Sequence, residues 1–147
     1  MNSEKDNAPR DTVTNDDILR CFDVIAELRP HLKREDFLTT VRSMENEGYR
    51  LAFIEDEGVV VAAAGYRIGT NLFMGKHLYV DDLVTAARFR SKGYGEKMIN
   101  WLRCKAIEAR CNYLHLDSGT HRGQAHKFYF NQGLTIASYH FSQHLND

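Results

Sequence analysis

The chain has 147 residues, 43% hydrophobic and 27% charged, with a formal net charge of −1; it is most simply one domain, able to bury roughly 70% of its unfolded surface. That charge gives no basic excess for nucleic acid or an anionic membrane surface. No apolar run approaches the ~20 residues that span a bilayer and the polar N-terminus has no signal-peptide core, so a cytoplasmic protein without a nucleic-acid or membrane partner is expected.

Residues 1–13 are polar and read as a mobile tail, with at most a short strand near Thr12-Val13-Thr14. Thr14 to Asp17 offers a helix start with acidic residues in its first turn. Ile18, Cys21, Phe22, Ile25 and Leu28 then recur at helical spacing until Pro30 stops the run. A second helix is predicted over residues 34–46 through Phe37, Val41 and Met44, closed by Gly48. Residues 49–54 and 59–68 read as an antiparallel hairpin around Asp56-Glu57-Gly58, and Gly69-Thr70-Asn71 turns the chain into a strand over 77–85. A helix over 96–109 carries Met98, Ile99, Leu102 and Ile107 on its apolar side. A strand near 113–117, a helix containing Ala125, and a closing strand or hairpin over 134–141 complete the order. The predicted fold class is α/β, a single domain at 14–147 with a mixed, mostly antiparallel sheet flanked by helices. Cys21, Cys104 and Cys111 are odd in number and lack C-x-x-C spacing, so they fit neither a disulfide framework nor a zinc site and read as buried small hydrophobes.

The most informative stretch is Arg90-Ser91-Lys92-Gly93-Tyr94-Gly95, between the 77–85 strand and the following helix. Glycines at the mouth of a helix let backbone N–H groups close on an anion such as a phosphate. A P-loop needs G-x-x-x-x-G-K-[ST], which occurs nowhere, and a dinucleotide fingerprint needs a third glycine where Met98 stands. About thirty-five residues on lies Ala125-His126-Lys127-Phe128-Tyr129-Phe130-Asn131-Gln132-Gly133-Leu134. R-x-x-G-x-G at a strand-to-helix junction, followed by A-x-x-F-Y-x-x-x-G-[FL], resembles the GNAT-type N-acetyltransferase superfamily over roughly residues 14–142.

The resemblance implies acetyl-CoA as co-substrate, held by the backbone from Arg90 through Ser91, Lys92, Gly93 and Tyr94 to Gly95. It also implies contacts from Leu83, Val84 and Thr85, where the superfamily's neighbouring strands splay apart and free main-chain N–H groups for the acetyl and pantetheine arms. Tyr129 matches the tyrosine near the cofactor sulfur, whose phenol, with pKa near ~10, can protonate a departing thiolate. Arg90 and Lys92 could add charge to the loop, Arg88 less so.

For amine deprotonation, Asp81 and Asp82 are adjacent in a strand, so one is expected on each side of the sheet and one in the acceptor cleft, as a base through water or an anionic anchor for ammonium. His77, His115, Asp117, Glu45 and Glu47 are rivals, and the Leu28-Arg29-Pro30-His31 corner reads as a helix stop with a solvated Arg29 or, alternatively, as part of the acceptor-pocket lining. His115 with Asp117, and His121 with His126, lack a third metal ligand at a recognised spacing, so no metal is expected.

The expected activity is acetyl transfer to a primary amine, of a small molecule or a peptide, by direct attack in a ternary complex. No cysteine lies in a motif position, so no acyl-enzyme is expected. The alternatives are a non-catalytic acyl-CoA-binding regulatory module and an enzyme using another nucleotide at the same loop. A homodimer is compatible with the closing strands, though no residue pattern specifies one.

Overall fold

The computed structural model describes residues 7–146, in two compact units, one ending at Leu116 and one beginning at Asp117.

The first unit opens with β1 (Arg10–Asp11), which pairs antiparallel with Phe53 and Ala52. This strand lies two residues before the predicted one, because Thr14 is used as a helix N-cap. Its hydroxyl accepts from the Asp17 N–H at 3.0 Å and the Asp17 carboxylate accepts from the Thr14 N–H at 3.2 Å, a reciprocal capping box. The predicted first helix is broken in two, α1 (Asn15–Arg20) and α2 (Phe22–Leu28), which meet at Cys21. After Pro30 comes α3 (Arg34–Glu45), followed by β2 (Tyr49–Asp56), β3 (Val59–Asn71) and β4 (Gly75–Thr85). Glu57 and Gly58 both take positive φ, 52° and 79°, which turns β2 into β3. The next turn comes later than predicted: β3 runs through Gly69 to Asn71, whose side-chain carbonyl accepts the Met74 N–H at 2.6 Å.

A short 3₁₀ turn (Ala87–Phe89) leads to α4 (Tyr94–Glu108), then β5 (Tyr113–Leu116). The sheet order is β1-β2-β3-β4-β5, antiparallel except for the parallel β4–β5 pair. Its two faces carry separate cores. Ile18, Phe22, Ile25, Phe37 and Val41 of α1–α3 pack with Leu51, Phe53 and Val84 on one face. Met98, Leu102 and Ala106 of α4 pack with Ile54, Leu78 and Val80 on the other. Ala106, not the predicted Ile107, completes the apolar side of α4, and Ile107 is exposed. Cys21 is buried, and burial pushes its thiol up to about 12. Contrary to expectation Cys104 is exposed, and Cys111 lies beyond the end of α4.

In the second unit α5 (Gly123–Asn131) ends on Gly133 at φ 88°. The Gly133 N–H donates to the Phe130 carbonyl and the Leu134 N–H to the Tyr129 carbonyl, each at 3.0 Å. This is a Schellman closure, so the glycine and leucine of the second motif act as a helix terminator. The closing strand predicted over 134–141 does not form: residues 134–146 carry no strand, and Ile136, Tyr139 and Phe141 are exposed. Alternating hydrophobicity is a period without a partner, and a strand exists only where another strand accepts its hydrogen bonds.

Candidate active site

The site begins with a mismatch of strand lengths. On one edge β4 pairs with β3 along its whole length, from Gly75 opposite Asn71 to Thr85 opposite Ala62. On its other edge it pairs with β5 only from His77 to Val80, because β5 stops at Leu116. Among the described residues, no strand pairs with that edge from Asp81 to Thr85. The place where this pairing ends is the fork, and of the predicted Leu83, Val84 and Thr85 beyond it, Leu83 and Thr85 turn their N–H groups to the open edge.

A β-bulge lies at the base of the fork. Val80 stands opposite Tyr66 and Asp82 opposite Gly65, which leaves Asp81 as the extra residue. The bulge reverses the alternation of side chains: Leu78 and Val80 belong to the α4-side core, Val84 to the α1–α3-side core. Consequently Asp81 and Asp82 do not face opposite sides of the sheet, as the unbroken alternation predicts. Both carboxylates reach one cluster, with Tyr49, Arg29 and Arg67.

Within that cluster the two acids differ. One oxygen of Asp82 accepts from Arg29 Nε at 3.0 Å and the other from the Tyr49 hydroxyl at 2.9 Å. Asp81 Oδ2 accepts from Arg67 Nε at 3.1 Å, while its buried Oδ1 has no hydrogen-bond partner. Burial pushes the Asp81 carboxyl above the usual carboxylate range, against the opposing pull of Arg67. Burial and the neighbouring Asp82 together raise the Tyr49 phenol well above its ordinary value. Arg29 is not simply a solvated helix stop. Pro30 ends α2 there, and its guanidinium also donates to the Asp81 carbonyl at 3.0 Å. Tyr49 escaped the sequence reading because only the fold shows its neighbour Gly65: a Cβ built there would fall 1.9 Å from the Tyr49 hydroxyl.

The glycine loop follows the fork directly. Gly93 caps α4 at φ 85°, with no side chain capping the helix. The first N–H groups of the 15-residue α4 are therefore available to an anion, with the positive end of the helix dipole behind them. A Cβ built on Gly93 would meet nothing within 4 Å, so the space beside it is open. Ser91 also has positive φ, 67°. The Tyr94 side chain points into the α4-side core and donates to Asp56, and that hydrogen bond with burial pushes its phenol up to about 12. Arg90 is exposed, and Arg88 and Lys92 hold their cations over the Phe89 ring at 4.8 and 5.6 Å.

The rivals disperse. Glu45 pairs with Arg42 at 2.9 Å, and Glu47 contributes only its carbonyl, to Arg67. His77 and His115 form a hydrogen bond of 2.9 Å across β4 and β5. In the second unit Asp117 lies 3.5 Å from His140. Tyr129 is half-buried on α5, and burial raises its phenol pKa against a smaller opposing effect of Arg122. Among the described residues no group of three His, Cys, Asp or Glu is placed to hold a metal ion, and no helix is long and apolar enough to cross a membrane.

The unpaired edge of β4, the bulge at its base and the open glycine-capped helix beside it form the candidate site. Residues 14–134 match the Acetyltransferase (GNAT) family, and the chain belongs to it. It is an acetyl-CoA-dependent N-acetyltransferase. The chain is 34% identical over 122 residues to the uncharacterized N-acetyltransferase YhdJ of Bacillus subtilis (strain 168), covering 82% of this chain and 86% of that one. Its fold is similar to glucosamine-6-phosphate N-acetyltransferase from Arabidopsis thaliana, with a TM-score of 0.74 at 22% identity over 94% of this chain and 97% of that one. It is also similar to AAC(6')-Iy, solved with the bisubstrate analogue CoA-S-monomethyl-acetylneamine, with a TM-score of 0.82 at 11% identity over 95% of this chain and 97% of that one.

Proposed function

We propose that the protein transfers the acetyl group of acetyl-CoA to a primary amine by direct attack in a ternary complex, with Asp81 anchoring the amine. The observation that carries this reading is the fork. Five residues of β4, Asp81 to Thr85, present one backbone edge without a strand partner, and the chain runs from them straight into the open N-terminus of α4.

In this reading the backbone N–H groups of residues 90–95 hold the pyrophosphate. Main-chain donors on the open edge, the N–H groups of Leu83 and Thr85, hold the acyl arm and receive the charge that develops on the carbonyl oxygen, while the Val84 N–H is turned toward β3. Preorganised donors of that kind lower a barrier by roughly 3–4 kcal/mol. The Asp81 carboxylate, 22% exposed and paired with Arg67 through Oδ2, supplies the negative charge that anchors the ammonium. Asp82 is a positioning residue: with both oxygens committed to Arg29 and Tyr49, it ties α2 and β2 to the bulge. Tyr129 supplies a proton to the departing thiolate. Support for that role is its place in the second motif and a phenol that burial keeps protonated at neutral pH. The ammonium first loses one proton, which leaves the site; the carbon–nitrogen bond then forms as the carbon–sulfur bond breaks, and the second proton shed by the nitrogen replaces the one Tyr129 gives to the thiolate.

The names of the structural neighbours suggest acceptors to try, an aminoglycoside and glucosamine 6-phosphate. The test is thiol release from acetyl-CoA with those two, spermidine, and peptides bearing a free N-terminus or lysine. An active amine whose KM rises at least tenfold in Asp81→Asn with kcat little changed supports both the reaction and the anchor. Tight acetyl-CoA binding with no turnover on any amine overturns the reaction. An unchanged KM overturns the anchor alone.

A further inference from the structure

The acetyl-transfer reading leaves one proton to be carried off, and a pair of side chains it has not used lies beside the fork. His115 Nε2 and His77 Nδ1 are 2.9 Å apart, their ring centroids 4.8 Å apart at 61°. His115 also packs against Tyr79, with ring centroids 4.9 Å apart. Tyr79 stands opposite both His115 on β5 and Arg67 on β3, and Arg67 is the partner of Asp81. The two imidazoles therefore occupy the same sheet face as Asp81. His115 stands opposite Tyr79, two residues before Asp81 and one strand across, so at about 3.3 Å per residue and about 4.8 Å between strands their backbones are roughly 8 Å apart. His77 lies one step further out, opposite Tyr113. A Cβ built on Gly69, its β3 partner, would stand 3.9 Å from His77 Nε2, so glycine leaves that nitrogen uncovered on this side.

We propose that His115 and His77 form a proton relay for the transfer, which rests on the acetyl-transfer reading above. His115 accepts, through water, the proton that the ammonium sheds before it attacks. It passes the proton on its Nε2 to His77 Nδ1, and His77 releases the one on its Nε2 to water. One proton enters and one leaves, so the pair is unchanged in charge after each turnover, and water exchange and ring rotation restore the tautomers. Two hydrogen-bonded imidazoles suit this task because each has a donor and an acceptor nitrogen. The charged and titratable groups sharing this face are Tyr79, Asp81 and Asp82 on β4, Tyr49 on β2, Arg67 on β3, Tyr113 on β5 and Arg29 at the end of α2.

The test compares His115→Asn and His77→Asn with wild type, using the fastest amine of the panel above, acetyl-CoA calorimetry and imidazole ¹⁵N titration. The relay predicts that His115→Asn lowers kcat about 100-fold, erases the acidic limb of the pH–rate profile and leaves acetyl-CoA affinity unchanged. Added imidazole should restore part of that loss, which a merely structural role would not allow. His77→Asn should slow turnover less, and the wild-type pair should titrate in two coupled steps that collapse to one in either variant. Wild-type kcat and pH profile in both variants overturn the relay while leaving the acetyl-transfer reading intact. Absence of wild-type turnover despite bound acetyl-CoA overturns both. If the variants melt early, independent titration of the two imidazoles in wild type overturns the relay.

Discussion

At the scale of single residues, the two adjacent aspartates have opposite situations because their hydrogen-bond supply differs. Asp82 has a partner for each oxygen, whereas Asp81 has Arg67 on one oxygen and none on the other. The raised pKa of Asp81 has a consequence for folding. Its folded state holds a proton more tightly than its unfolded state, so ionising it costs stability. Below the unfolded value of about 3.9 both states are protonated. As pH rises from there through the raised folded value, wild type should lose stability relative to Asp81→Asn. Urea unfolding of the two proteins across that window checks the sign. Tyr129 carries a second prediction. Removing its hydroxyl in Tyr129→Phe should slow turnover about 100-fold or less while acetyl-CoA affinity holds, because a thiolate leaves tolerably without an acid. Steady-state kinetics beside calorimetry would separate the two quantities.

At the scale of elements, glycine is required for two different reasons. Gly93 is required by backbone conformation: at φ 85° an L side chain is strained even in open space. Gly93→Ala should cost about 1–2 kcal/mol of stability and at least tenfold in acetyl-CoA affinity, since its methyl stands where the phosphates would come. Ser91→Gly, at φ 67°, should keep that affinity, and calorimetry on both variants tests the contrast. Gly65 is required by contact, because the Tyr49 ring lies where its Cβ would be. Gly65→Ala should push Tyr49 off Asp82 and cost about 1–3 kcal/mol, read as a fall in melting temperature of several degrees. The glycine loop was legible in the sequence because its chemistry is local. The Tyr49–Gly65 contact was not, since β2 and β3 meet there through pairing that composition does not display. The bulge at Asp81 was hidden for the same reason: an extra residue is defined only against a partner strand.

At the scale of the whole molecule, an open helix terminus and fork should couple cofactor binding to stability. Acetyl-CoA at 100 times its dissociation constant should stabilise the native state by about 2.7 kcal/mol, raising the melting temperature by several degrees. ATP and NAD at the same concentration should leave it unmoved. A thermal-shift titration decides this, and a shift with ATP or NAD alone would contradict the cofactor assignment.

The sequence by itself determined the helices that bear a periodic apolar face, such as Phe37 with Val41 and Met98 with Leu102, and the order of strands between them. It also determined the two short motifs whose work is done within a few residues, a glycine-capped helix start and a Schellman helix end. The tertiary structure alone decided where β5 stops against β4, which side chains the bulge turns to one face, and which acid keeps an unpartnered oxygen. It also decided that the alternating 134–141 segment carries no strand. The physical reason is common to all four. Periodicity and capping are settled by neighbours along the chain, whereas strand register, facing and carboxylate partnership are settled by residues far away in sequence, whose identity the chain reveals only once it has folded.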